Sequence, residues 1–267
     1  MRFLKNITKL LFPCLLLFSV GIGVGYIAFI SKLQSTAIPT RSEIIKNNKI
    51  SDFYSVSQKK AIKKSKQSSV RVLSFDVESS TFSVSSGTYF KYQDQYYVLT
   101  VEHGILGGCE SIQIAVDNNL YDCVELLAND SKNDYVIITV GKINDRQAIE
   151  FPKDFVKTRK EWTSSLSTLN SLLYTGYPNS FGPVTLDGKV MGISADEHIY
   201  FNSYAWSGSS GSGIFNYKGK FVGYIVAIDV GQTEFGYDVL ENVILVIPNY
   251  KIDWSVLYKK RGSHNGQ

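Results

Sequence analysis

A run of glycines and serines, Gly208-Ser209-Ser210-Gly211-Ser212-Gly213, stands between aromatic and β-branched segments in WSGSSGSGIFNYKGKFVGYIVAI. Gly/Ser runs ordinarily serve as slack linkers. Inside a domain a slack loop would leave backbone polar groups unpaired, so these flanks favour a structured turn. Such a turn suits a serine nucleophile. A sharply bent backbone makes neighbouring N–H groups converge where negative charge develops on an attacked carbonyl oxygen. Ser210 would then attack, the N–H groups of Gly208 and Ser210 would form the oxyanion hole, and Gly211 and Gly213 would admit close approach of substrate and strand.

A serine nucleophile needs a base, and the chain has only His103, His198 and His264. His264 is in the polar tail, and His198 opens an expected strand, where a lone histidine is more often a surface or half-buried residue than a catalyst. His103 ends QYYVLTVEHG, a strand running into a Gly-containing turn, which is where a base would be held at the rim of a barrel. The carboxylate that orients such an imidazole would be Asp134, at the start of DYVIITV, although an Asp in that place is ordinarily a turn residue.

The elements that would position these residues read as β-structure. From Ser68 onward, short runs rich in Val, Ile, Tyr, Phe and Thr alternate with Gly, Asn, Asp and Ser. Strands are expected at 70–75, 81–92 (bulged near Gly87), 95–101, 111–116, 120–128 and 135–140. A less regular stretch with Pro152 and Trp162 follows, and then SLLYTGYP, TLDGKVMGISA, HIYFNSYA, SGIFNY, KFVGYIVAI and NVILVIP. Two series of short strands with closely spaced turn signals predict an all-β fold of two packed six-stranded antiparallel barrels, at 68–145 and 167–258, joined by a connection at 146–166. No helical periodicity is sustained between Ser68 and Leu240, which argues against a doubly wound α/β fold.

Taken together these segments resemble the trypsin-like serine protease family, and within it the bacterial HtrA-type proteases. VLTVEHG is similar to the family's strand ending in the catalytic His, NDYVIITV to its Asp followed by an apolar strand, and GSSGSGIFNYKGKFVGYIVAI to its nucleophile loop and following hairpin. NVILVIPNYKI is similar to the closing strand, so the likeness spans roughly Ser68 to Tyr258. The resemblance implies a serine endopeptidase with the triad His103, Asp134 and Ser210, acting through an acyl-enzyme on protein or peptide substrates without metal or cofactor. It also implies a primary pocket of Tyr204, Ala205, Val226, Ala227 and Ile228, which carries no acid and would take a small or medium apolar side chain.

Departures from the family pattern are local. Val101-Glu102 precedes His103 in place of two small residues, Gly104 and Ser209 replace the usual types, and Ser212 replaces a Gly. Glu102 would either lie near His103 and raise its pKa or point to solvent. These departures support a rival reading, a catalytically inactive pseudoprotease kept as a membrane-displayed binding module. A third reading is an anchored adhesive β-domain. Unlike HtrA-type proteases, the chain is not expected to carry a PDZ domain after the barrels. The sequence leaves the oligomeric state open.

Before the barrels, residues 10–30 carry no charge and, at about 1.5 Å per helical residue, reach roughly the 30 Å of a bilayer core. Arg2, Lys5 and Lys9 precede them, so a transmembrane anchor with residues 1–9 in the cytoplasm and the rest outside is expected. The alternative is secretion after signal cleavage near Gly23-Val24-Gly25. A polar stalk is expected at 31–67, with a short helix near Asp52 to Lys64 docking on the domain behind it, and a polar tail at 259–267. Lys59, Lys60, Lys63, Lys64 and Lys66 crowd the end of that stalk as a solvated face or a lipid-headgroup contact. A net charge of +4 over 267 residues does not favour a nucleic-acid partner. Cys109 and Cys123 are the cysteines of the exported part, either bridged or buried as free thiols, and no zinc-type Cys/His spacing is present.

Overall fold

The structure, a computed structural model, describes residues 50–259 apart from Val77, Lys157, Phe181 and Phe235. Its first six strands are β1 (Ser69–Asp76), β2 (Thr81–Tyr92), β3 (Gln95–Thr100), β4 (Ile112–Val116), β5 (Asn119–Asp130) and β6 (Tyr135–Val140). They pair in the order β1-β4-β5-β6-β3-β2, and β1 pairs back onto β2, closing an antiparallel barrel. A two-residue strand, β7 (Ile149–Glu150), adds to β2 in parallel. The second barrel comprises β8 (Ser171–Gly176), β9 (Val184–Ile193), β10 (Ile199–Asn202), β11 (Gly213–Asn216), β12 (Phe221–Thr233) and β13 (Gly236–Pro248), closed in the order β10-β13-β12-β11-β8-β9.

Strand periodicity explains three apolar cores rather than two. Along β6 every residue is buried, because Val136, Ile138 and Val140 turn into one cluster while Tyr135 and Ile137 turn into another. The same division separates Val98 from Tyr97 and Leu99 on β3. One cluster fills the first barrel around Val70, Val98, Ile114 and Ile138. A second fills the other barrel around Leu172, Phe201, Ile214 and Ile244. The third is the seam, where Tyr97, Leu99 and Tyr135 of one barrel meet Leu173, Phe215 and Tyr224 of the other.

The short helix expected near Asp52 to Lys64 is present and runs on to Ser68, and two other elements differ from expectation. The last part of the expected stalk is helix α1 (Val56–Ser68), whose capping box joins Ser55 and Gln58 and whose Ala61 and Ile62 are buried in the seam. Its five lysines hide a short apolar face, so it belongs to the body rather than to a tether. The connection at 146–166 is likewise structured. It holds β7, the buried Phe155 bridged to Phe221, and helix α2 (Arg159–Ser165) with Trp162 buried. Finally, β12 and β13 pair as far as Thr233 and Gly236, well past the expected strand ends. Tyr237 and Val239 are exposed there, so no buried face imposed the alternation by which strands are read.

A last helix, α3 (Val256–Lys259), buries Leu257 in the seam. The apolar segment 10–30 and the tail from 260 onward lie outside the described residues. Among the described residues no helix is long and apolar enough to cross a membrane.

Candidate active site

His103 sits in the turn that leaves β3. The turn is fixed from both sides: Val101 is buried in the seam, Ile105 N–H donates to the Glu102 carbonyl (2.9 Å), and Leu106 N–H donates to Ser74 Oγ (2.9 Å). Asp134 enters β6 from a turn built by the Asp130 carboxylate, which accepts from the backbone N–H of Lys132 and Asn133 (2.9 and 3.0 Å). That turn leaves Asp134 at φ 51°, a left-handed conformation that asparagine and aspartate tolerate better than most residues.

The two residues meet twice. His103 N–H donates to Asp134 Oδ1 at 2.9 Å, and His103 Nδ1 donates to Asp134 Oδ2 at 2.6 Å. A carboxylate can only accept, so this bond places the ring proton on Nδ1 and leaves Nε2 as a free acceptor. The hydrogen bond that the ring donates to Asp134 raises the His103 pKa above its ordinary value. Partial burial opposes the rise, and the charges of Asp134 and then Glu102 add to it. Glu102 makes no hydrogen bond with the imidazole; its carboxylate accepts from Ser131 Oγ at 3.2 Å. The pair is open to solvent on one side, with side-chain exposures of 51% for His103 and 24% for Asp134.

Ser210 comes from the second barrel, on the loop before β11. Gly208 and Gly211 bend that loop at φ +93° and +86°, and side chains there would collide with backbone: a Cβ at Gly208 would meet the Tyr177 carbonyl oxygen at 2.6 Å, and one at Gly211 the Ser86 carbonyl oxygen at 2.0 Å. The loop is strapped to β12, since Gly211 N–H donates to the Ile225 carbonyl (2.7 Å) and Ile225 N–H to the Ser212 carbonyl (3.0 Å). Ser209 caps its own turn, its N–H donating to the Trp206 carbonyl (2.8 Å) and its Oγ accepting from Trp206 N–H (3.2 Å). Among the described residues, the N–H groups of Gly208 and Ser210 have no hydrogen-bond acceptor.

A residue the sequence did not single out joins the two halves. Ser86 on β2 donates its N–H to the Ser210 carbonyl (2.7 Å) and its Oγ–H to the Gly208 carbonyl (2.7 Å), while that Oγ accepts from Tyr177 N–H (2.9 Å). Its own carbonyl accepts from Thr100 Oγ1 (2.8 Å), at the end of the strand that leads to His103. A chain of bonds therefore runs from β3 through Ser86 to both sides of the nucleophile loop. Tyr224 adds a second link, its buried hydroxyl donating to the Asn133 carbonyl beside Asp134; burial pushes its pKa far up, so it stays a donor.

In this conformation Ser210 Oγ donates to the Val226 carbonyl at 3.3 Å, long for a hydroxyl bond, and forms no hydrogen bond with His103. Of the five residues expected to line the primary pocket, Ala205 is buried in the second-barrel core and Val226 in the seam. Tyr204 (48% exposed) and Ala227 are exposed, and Ile228 is half-buried. His198 lies on the second barrel with its pKa lowered by burial, and its N–H donates to Ser194 Oγ. Cys109 and Cys123 are disulfide-bonded with Cα atoms 5.3 Å apart, tying the turn that follows the His103 loop to β5.

No curated protein matches the chain by sequence. Among solved structures it is similar to a serine endoprotease from Yersinia pestis, with a TM-score of 0.56 and 18% identity over 79% of this chain and 67% of that one. That likeness is one of fold. Residues 79–223, more than half of the chain, match the model of the trypsin-like peptidase domain, and the segment holds the His103–Asp134 pair and the Ser210 loop: the chain belongs to the trypsin-like peptidases.

Proposed function

We propose that the chain is a serine endopeptidase in which Ser210 is the nucleophile, His103 the general base and acid, and Asp134 the group that orients His103. The observation that carries this reading is the double hydrogen bond between His103 and Asp134, which leaves Nε2 ready to accept a proton. Ser210 Oγ attacks the scissile carbonyl carbon as its proton passes to His103 Nε2. The resulting oxyanion is met by the N–H groups of Gly208 and Ser210. Collapse of the tetrahedral adduct breaks the C–N bond, and His103 returns the proton to the leaving amine. Water then repeats the sequence on the acyl-enzyme. Tyr204, Ala205, Val226, Ala227 and Ile228 carry no charge, which supports a small or medium apolar residue before the cut.

A second reading, an inactive binding module, is favoured by one observation: Ser210 Oγ is turned to Val226 rather than to His103. Catalytic hydrogen bonds are often unformed without substrate, and a serine reaches its alternatives through one torsion. A fluorophosphonate probe decides between the two. The first reading expects stoichiometric labelling of Ser210, absent in Ser210→Ala and in His103→Ala, and a loss of peptide cleavage by about 10⁴-fold or more in Ser210→Ala. A folded, unlabelled wild-type chain would establish the second.

We infer further that residues 10–30 anchor the chain with the peptidase domain outside the cytoplasm, a reading supported by the uncharged segment and by Arg2, Lys5 and Lys9 before it. The full chain should remain with the membrane through alkaline carbonate extraction. Its release would exclude the anchor and leave secretion after cleavage near Gly23 to Gly25.

A further inference from the structure

Helix α1 carries Lys60, Lys63, Lys64 and Gln67 at the i, i+3, i+4 and i+7 spacing that places residues on one face. That face forms one wall of a cleft of about 560 Å³, and the connection leaving β6 forms the opposite wall with Lys142, Arg146 and Lys153. Lys91 enters from β2, and the buried Tyr89 and Ile143 contribute an apolar floor. The only acids among the lining residues are Glu150 and Asp154, and both are occupied. Asp154 pairs with Lys64 at 2.8 Å, and Glu150 with Lys91 at 3.1 Å and Lys153 at 3.3 Å.

Lys60, Lys63 and Lys142 are therefore exposed cations with no carboxylate partner among the described residues. Arg146 is held in place by the Ser69 carbonyl (3.0 Å), the Tyr177 hydroxyl (3.3 Å) and Asp117 (3.3 Å). Lysines on a convex face diverge into water and need no ligand. Here two cationic walls converge on one concavity, and the potentials of the two walls add within it.

We propose that this cleft binds a carboxylate-rich polypeptide segment, at a site separate from the Ser210 loop. Its concavity suits an extended chain, whereas a flat bilayer would meet only the rim. Its volume holds a few residues and is too small for a nucleic-acid duplex. The apolar floor accepts the aliphatic stems of glutamates while their carboxylates reach the lysines. Segments 1–49 and 260–267 carry a single acid, Glu43, and supply no acidic ligand of their own.

The experiment follows fluorescence anisotropy of labelled deca-glutamate on the full chain, with deca-lysine and a Gly/Ser decamer as controls. Saturable binding of deca-glutamate alone is expected, weakening as salt rises. The triple variant Lys60→Gln/Lys63→Gln/Lys142→Gln should lose about tenfold or more in affinity. Lys132→Gln/Lys160→Gln/Lys218→Gln, which removes equal charge from exposed positions outside the cleft, should bind as the parent does. Thermal midpoints of both triples establish that each is folded. Absence of saturable binding, or an equal loss in both triples, overturns the proposal. So does tighter binding, lost in the same cleft triple, of vesicles of equal parts phosphatidylcholine and phosphatidylglycerol or of a single-stranded oligonucleotide.

Discussion

At the scale of residues, the His103–Asp134 bond sets opposite pH dependences for activity and stability. The folded state raises the His103 pKa, so His103 protonates at a higher pH in the native chain than in the unfolded one. If His103 is the general base it must be neutral, so kcat/KM should be lost as pH falls through its raised pKa. The stability contribution has the other sign: it is fully present below the unfolded value and disappears as pH rises through the folded one. Glu102→Gln removes the last and smallest of the causes raising this pKa, so the acid limb of kcat/KM should move to lower pH with the maximum retained. A pH profile of peptide cleavage by both forms checks this, and an unmoved limb would sever Glu102 from His103. His103 and Ser210 stand out in the sequence as candidates because histidine is scarce and because a glycine-flanked serine between strands has few other uses, and the structure brings His103 and Asp134 together. Ser86 does not stand out. It stands in SVSSG, where nothing separates the serine that clasps the nucleophile loop from the serines beside it. Its importance comes from partners more than ninety residues away, which no local pattern encodes.

At the scale of elements, strands whose two faces differ, or which are buried on both, were readable, and elements stabilised by something else were not. YVIITV and QYYVLT carry enough apolar, β-branched and aromatic residues to place β6 and β3 almost to the residue. The outer half of the β12–β13 hairpin has no such signal, since Tyr237 and Val239 are exposed where the pairing continues. Helix α1 was legible as a short helix near Asp52 to Lys64, but its polar composition hid how far it runs, since only Ala61 and Ile62 are apolar among the side chains it buries. Ala61 and Ile62, one turn into a helix capped by Ser55, are enough to dock it once the seam supplies an apolar surface. The connection between the barrels was unreadable for a related reason. Phe151 and Phe155 stand in a segment without periodicity, and only the assembled seam, with Phe90 and Tyr92 on one side and Phe221 on the other, gives them a place to be buried.

At the scale of the molecule, the candidate triad is divided: His103 and Asp134 belong to the first barrel and Ser210 to the second, so the seam determines their alignment. Phe155 is the test of that division. It is buried between the barrels, with ring centroids 5.8 Å from Phe90, 5.0 Å from Phe221 and 5.2 Å from Trp254. Phe155→Ala should cost about 3–5 kcal/mol, a large part of the roughly 5–15 kcal/mol that holds a domain folded. Ile114→Ala, inside the first barrel, should cost a comparable 2–5 kcal/mol or so without touching the seam. Urea unfolding followed by tryptophan fluorescence gives both losses, and titration with a fluorophosphonate counts competent sites in the folded fraction. If the seam aligns the triad, Phe155→Ala loses kcat/KM per folded molecule by an order of magnitude, because a relaxation of about 1 Å between the barrels falls on the distance from Ser210 to His103. Ile114→Ala keeps its specific activity, since its cavity lies within one barrel. Equal specific activity in both variants would mean that Ser86, Tyr224 and the backbone around the nucleophile loop hold the alignment without the aromatic seam.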